Sequence, residues 1–197
     1  MSNFHENGII ILDFGSQYTQ LISRRIREKH VYSEIMSPDV SIEVVQERSP
    51  KAIILSGGPS SVYEDSSQEY DSKLFAMDIP ILGICYGLQL MAHHYNGQVE
   101  SSSHGEYGFA LINIMNSEHL FHSVSGNTQV WMSHMDRVTQ MPPGWEIMAE
   151  SSNGVVAAMG HVESKRFATQ FHPEVNHTVE GETILNNFLF KIAGCSP

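Results

Sequence analysis

The chain has 197 residues, enough for a single domain, residues 1–197, whose core buries roughly two-thirds of the unfolded surface without disulfides or metal staples. Its 22 acidic and 11 basic residues leave a formal net charge of −11, which repels a nucleic-acid backbone and an anionic membrane surface alike. The opening, Met1 to Gly8, is polar and lacks the basic-then-apolar order of a leader, and no apolar run nears the roughly 18 residues of a membrane span, so a cytoplasmic protein is expected.

Strand-like and helix-like segments alternate from the start. Residues 8–13 form a short, nearly continuous apolar run, the pattern of a strand buried on both faces. Helical spacing of Leu21, Ile22, Arg25 and Ile26 predicts a helix over 18–29. A strand over 31–36, a helix over 41–48 and a strand over 52–56 follow, the last running into Gly57-Gly58-Pro59. Residues 67–77 read as a helix, 79–84 as a fourth strand and 86–96 as its helix. This order, βαβαβαβα, predicts an α/β fold with a mostly parallel sheet covered by helices on both faces. The middle then changes character. Residues 98–115, 129–132, 145–149, 155–162 and 166–171 read as strands joined by turns, an added antiparallel sheet. A helix over 181–193 closes the domain, and Gly194 to Pro197 reads as a frayed end.

One of the two cysteines stands in Gly83-Ile84-Cys85-Tyr86-Gly87, behind the apolar run of the fourth strand. A G-x-C-x-G at that place is the thiol version of a nucleophile elbow, in which a tight strand-to-helix turn lifts the reactive atom above the sheet. The glycines are expected where a side chain would collide between strand and helix. At a helix N-terminus the sulfur meets the positive end of the helix dipole, which favours the nucleophilic thiolate. The plainer alternative is a buried apolar cysteine in an ordinary turn.

A nucleophilic thiol needs a base, and the base needs an orienter. His172-Pro173-Glu174 offers both at the end of a strand-like segment, with proline limiting their relative motion. Strand-end placement brings Cys85 and this pair to the same edge of a parallel sheet. The chain's other histidines, His93-His94 and His119 with His122 among them, lack a completing ligand set, so no metal is expected. Oxyanion donors are expected from the amide after the nucleophile, on Tyr86, and from the glycine loop Ser56 to Pro59. That loop superficially resembles the phosphate loop of ATP pyrophosphatases, but Ser60 stands where an Asp belongs and Pro59 removes an amide. No other feature supplies an ATP site.

These segments together resemble class I (triad) glutamine amidotransferases, and among them the glutaminase domain of bacterial-type GMP synthases. Residues 11–21, Ser56 to Pro59, Gly83 to Gln89, Val130 to His134 and Gln170 to Thr178 carry the likeness, the first and last pointing to the GMP synthase branch. The resemblance implies a flavodoxin-like fold and hydrolysis of the side-chain amide of L-glutamine. Cys85 would attack, the amides of Gly58 and Tyr86 would hold the oxyanion, and His172, oriented by Glu174, would protonate the leaving ammonia. Gln89, Ser133 and His134 would grip the amino-acid end of glutamine. The ammonia would aminate XMP in an ATP pyrophosphatase (synthetase) domain, which is absent from this chain; ATP and magnesium belong to that partner, and no cofactor is expected here. The chain thus reads as an excised domain or a separate subunit. Two departures bear on substrate affinity and domain coupling: Met135 stands where relatives commonly have Gly, and Gly105 where Arg is frequent. The competing readings are a non-catalytic scaffold on the same fold, a glutaminase serving another amidotransferase, and a cysteine peptidase or glutamyl hydrolase.

Overall fold

The computed structural model describes residues 7–62 and 69–197. Most of the polar opening, residues 1–6, and the start of the helix expected over 67–77 lie outside them. The first half contains β1 (Ile9–Leu12), α1 (Thr19–Glu28), β2 (Ser33–Met36), α2 (Ile42–Glu47), β3 (Ala52–Leu55), β4 (Ile81–Ile84) and α3 (Tyr86–His94). The second half contains β5 (Gln98–Ile114), β6 (Asn127–Gln140), β7 (Glu146–Ser151), β8 (Val156–His161), β9 (Arg166–Thr169) and α4 (Gly181–Asn186), which runs on as a π-helical turn over Asn187–Ile192.

Strands β1, β3 and β4 are the continuous apolar runs, and every residue in them is buried. Strands pair in parallel in the order β2-β1-β3-β4-β9, the flavodoxin-like 2-1-3-4-5 arrangement with its fifth strand supplied late in the chain. Alternation along the strands feeds two cores. Ile9, Ile11, Ile54, Leu82 and Ile84 pack with Ile22 and Ile26 of α1 and with Leu185 and Phe188 of the last helix. Ile10, Leu12, Ile53, Leu55 and Ile81 pack with Val45 of α2 and with Leu88 and Met91 of α3. Each such side chain, fully buried, contributes about 1.5–3 kcal/mol against conformational entropy. No helix among the described residues is long and apolar enough to cross a membrane.

The antiparallel strands continue the same sheet. Strand β8 pairs with β9, β7 with β8, β5 with β7 and β6 with β5, giving one nine-stranded sheet among the described residues. Three local expectations need correction. Residues 72–76 form only a 3₁₀ turn, started by Asp71, whose carboxylate accepts from the Lys73 amide. Strand β6 extends well beyond 129–132, because its alternating buried residues stay paired to β5 as far as Gln140. The tail is tied down: the Cys195 amide donates to the Leu189 carbonyl at 2.9 Å, and Asn7 Nδ2 donates to the Ser196 carbonyl at 2.6 Å. Cys195 is buried in the first core, and burial pushes its thiol up to about 11.

Candidate active site

The turn after β4 places Cys85 in a backbone conformation that L residues rarely adopt, φ 55° and ψ −104°. Such a conformation costs about 1–3 kcal/mol and persists only where its surroundings enforce it. Here the Cys85 amide donates to the Thr169 carbonyl at 2.8 Å, and its carbonyl accepts from the amides of Leu88 and Gln89. The flanking glycines are set by close approach. A β-carbon on Gly83 would lie 2.6 Å from the Gly87 carbonyl carbon, and one on Gly87 would lie 2.6 Å from the Leu55 carbonyl oxygen. The strand and helix therefore meet through bare backbone, as the elbow requires.

His172 and Glu174 follow β9, the neighbour of β4, so the fold delivers them beside the sulfur. Nδ1 of His172 meets Glu174 Oε1 at 2.7 Å, with both side chains buried. This leaves the other ring nitrogen for Cys85, to which the ring hydrogen-bonds. Burial opposes a charged imidazole, but the Glu174 carboxylate and the bonding to Cys85 outweigh it and hold His172 up at about 10. The ring of Tyr18 meets that of His172 edge-on at 5.1 Å, fixing its tilt. From β6, the Trp131 carbonyl accepts from the His172 amide at 3.1 Å, and Thr178 Oγ1 donates to the His172 carbonyl at 2.6 Å. From α1, Arg25 Nε donates to the Glu174 carbonyl at 3.0 Å, while its Nη2 donates to Asn176 Oδ1 at 2.6 Å.

A cavity of about 620 Å³ opens over the sulfur, lined by the loops after β1 and β3, by Cys85, Gln89 and His172, and by Ser133 to Asp136 of β6. Gly58 lines it, and a β-carbon there would strike the Phe14 carbonyl. The Tyr86 amide occupies the first helical position, where no intrahelical acceptor exists. The sulfur lies 3.5 Å from the Ser133 carbonyl, to which it donates, and 3.6 Å from Gln170 Nε2, which donates to it. Among the described residues no group of three or more His, Cys, Asp or Glu is placed to hold a metal ion.

A thiol, an imidazole and its carboxylate partner thus stand together beside a cavity sized for a small molecule. The family model for class I glutamine amidotransferases matches residues 10–192. The chain belongs to the class I glutamine amidotransferases. It is 50% identical over 188 residues to a glutamine-hydrolyzing GMP synthase of Oceanobacillus iheyensis and 51% identical over 187 residues to that of Brachyspira hyodysenteriae, covering 95% of this chain in each case. It spans only 37% and 36% of those relatives' own length. A Thermoplasma acidophilum protein assigned as one subunit of a GMP synthase superposes with a TM-score of 0.87 at 30% identity, covering 96% of this chain and 94% of that one. A Thermotoga maritima glutamine amidotransferase shares the fold, with a TM-score of 0.74 at 17% identity over 95% of this chain and 98% of that one.

Of the residues anticipated in this amidotransferase domain, Cys85, His172 and Glu174 come together, and Gly58, Gln89, Ser133 and His134 all line the cavity. Two of them also have protein partners. His134 has both ring nitrogens occupied, Nδ1 at 2.7 Å from the Asp136 carbonyl and Nε2 at 2.8 Å from Glu106 Oε1, so any hold on a ligand there falls to its backbone. Gln89 Nε2 donates to the Asp136 carbonyl at 3.1 Å, tying α3 to β6. Met135 takes no positive φ, so its β-carbon sits without backbone strain. At Gly105 a β-carbon would lie 2.5 Å from the His134 carbonyl oxygen, which explains why no side chain stands there.

Sequence reading missed Gln170, Asp136, Glu106 and Arg25. Burial works to raise Glu106, but hydrogen bonds from His134, Asn153 and Ser151 outweigh it and hold the carboxyl below the usual carboxylate range. Ser61 Oγ donates to Asp136 Oδ2, closing one side of the cavity between the glycine loop and β6. The only available sequence signal was Arg25, a charged residue inside an apolar helical stripe.

Proposed function

We propose that this domain hydrolyses the side-chain amide of L-glutamine through a thioester on Cys85, and that the ammonia serves amination of XMP to GMP in a synthetase domain or subunit. The observation that carries the chemistry is the buried alignment of Cys85, His172 and Glu174 beneath the cavity. His172 takes the Cys85 thiol proton, the sulfur attacks the amide carbon, and the oxyanion is held by the amides of Gly58 and Tyr86. The imidazolium of His172 gives its proton to the departing nitrogen as the carbon–nitrogen bond breaks, releasing ammonia. The neutral ring then takes a proton from water, which attacks the thioester; glutamate leaves and the thiol is restored. Gln89, Ser133 and the backbone of His134 hold the amino-acid end of the substrate. The domain itself uses no cofactor, and ATP and magnesium act in the synthetase part. High identity to glutamine-hydrolyzing GMP synthases supports the acceptor assignment over a glutaminase serving another amidotransferase. The domain works in the cytoplasm.

The test is ammonia and glutamate release from glutamine, with and without a GMP synthetase partner, ATP and XMP, together with mass spectrometry after a glutamine-like chloroketone. Turnover with the label on Cys85 is expected. Absence of turnover in every combination, or label on Cys195 instead, sinks the assignment and favours the scaffold reading.

A further inference from the structure

The large apolar side chains left exposed are not scattered. Tyr107, Phe109 and Leu111 are 65%, 62% and 51% exposed, and Val179 is 67% exposed. Alternation along β5 points the first three to one side, while Ile112 faces the core with Val130 and Met132 of β6. Opposite them on the same face stand Ser133, Trp131 and Gln129. Phe109 meets the Trp131 ring edge-on at 5.3 Å, and His177 lies 4.6 Å from Trp131 and 5.6 Å from Phe109. The Val179 amide donates to the Gln129 carbonyl at 3.1 Å, which sets Val179 at the Leu111 end. At the other end, Tyr107 and exposed Met135 line the cavity over Cys85. The strip therefore starts at the mouth of the active site.

Its composition selects the kind of partner. The paired positions from Tyr107 to Asn113 and from Asn127 to Ser133 on this face carry no charge, in a chain of net charge −11. An aromatic, charge-free centre with a rim of Asn, Gln and Ser is the make-up of a protein interface core, whereas phosphate or lipid headgroups demand cations. Curated relatives carry well over half their length outside the stretch this chain matches. Ammonia leaving the cavity into neutral water would be protonated and lost as a nucleophile, so a cover over the mouth has a chemical use. We infer that the Tyr107–Phe109–Leu111–Val179 face is the seat of the synthetase portion found in the GMP synthase relatives, docked so that it closes the cavity at Tyr107 and Met135. This rests on the reading that the domain supplies ammonia to such a partner.

The experiment measures binding apart from turnover. The part of the Oceanobacillus iheyensis GMP synthase outside the matched stretch is titrated onto the wild-type chain, Phe109→Asp, Leu111→Asp and Phe109→Leu, and followed by sedimentation velocity. Wild type and Phe109→Leu form a one-to-one complex, and both Asp variants weaken it by roughly tenfold or more with circular dichroism and basal glutamine hydrolysis unchanged. No complex with the wild-type chain, or Asp variants that bind like wild type, overturns the inference. A wild-type dimer that Phe109→Asp dissociates also overturns it, by making the strip a contact between copies. A normal complex without glutamine hydrolysis leaves the docking face standing and refutes the proposed function instead.

Discussion

The five parallel strands and the four antiparallel ones meet at β9, and the two regions place their polar groups in opposite ways. In the parallel region the central strands β1, β3 and β4 are apolar and buried throughout, and the reactive groups appear where strands end: Cys85 after β4, Gly58 after β3 and His172 after β9. In the antiparallel region polar groups lie within the strands, as with Glu106 and His134, joined across β5 and β6 and braced by Asn153. The first arrangement gives rigid edges from which short turns project chemistry. The second gives a wall whose backbone braces His172 at the Trp131 carbonyl and whose one face, with Tyr107, Phe109 and Leu111, is open to solvent. Chemistry and recognition are thus assigned to different strand types, and variants in each region should fail in different ways.

The sharpest break is expected at the parallel edge. Cys85→Ala lowers glutamine turnover by about 10³-fold or more, read as ammonia release, and leaves the urea midpoint within experimental scatter of wild type, since alanine keeps the β-carbon and with it the same backbone conformation. A residual rate within tenfold of wild type would remove the nucleophile from the mechanism.

Glu174→Gln comes next. Loss of its charge should lower kcat by about 10²- to 10⁴-fold and let the His172 ring titrate well below its wild-type value of about 10, visible in nitrogen-15 spectra of the imidazole. A folded-state value raised from the unfolded value of about 6.5 gives stability that is fully present below about 6.5 and lost as pH rises through about 10. The stability gap between wild type and Glu174→Gln should therefore narrow from pH 6 to pH 10. A gap that widens over that range would break the pairing argument.

On the antiparallel side, Glu106→Gln should leave Cys85 in place. It should cost about 1–3 kcal/mol of stability by weakening a buried hydrogen-bonded network, and it should raise KM more than it lowers kcat. Equal loss in both would mean that β5 and β6 take part in the reaction itself. The smallest effect is expected from Arg25→Ala, which frees the Glu174 backbone without touching the ring: roughly a tenfold fall in kcat, KM unchanged, and partial recovery in Arg25→Lys.

Much of this was legible in the residue order. Continuous apolar runs marked β1, β3 and β4, because a strand buried on both faces has no room for alternation, and the elbow glycines declared the close backbone approach that the Gly83–Gly87 contact demonstrates. Cys85 with His172-Pro173-Glu174 announced itself through residue types that serve few other purposes together. Local pattern could not supply what depends on distant neighbours. The engagement of both His134 ring nitrogens, the Arg25 brace on Glu174 across 149 residues of chain and the tethering of Cys195 are set by packing between segments far apart in sequence. The exposure of Tyr107, Phe109 and Leu111 is of the same kind, since alternation names two faces of a strand and only the assembled sheet decides which one is left uncovered.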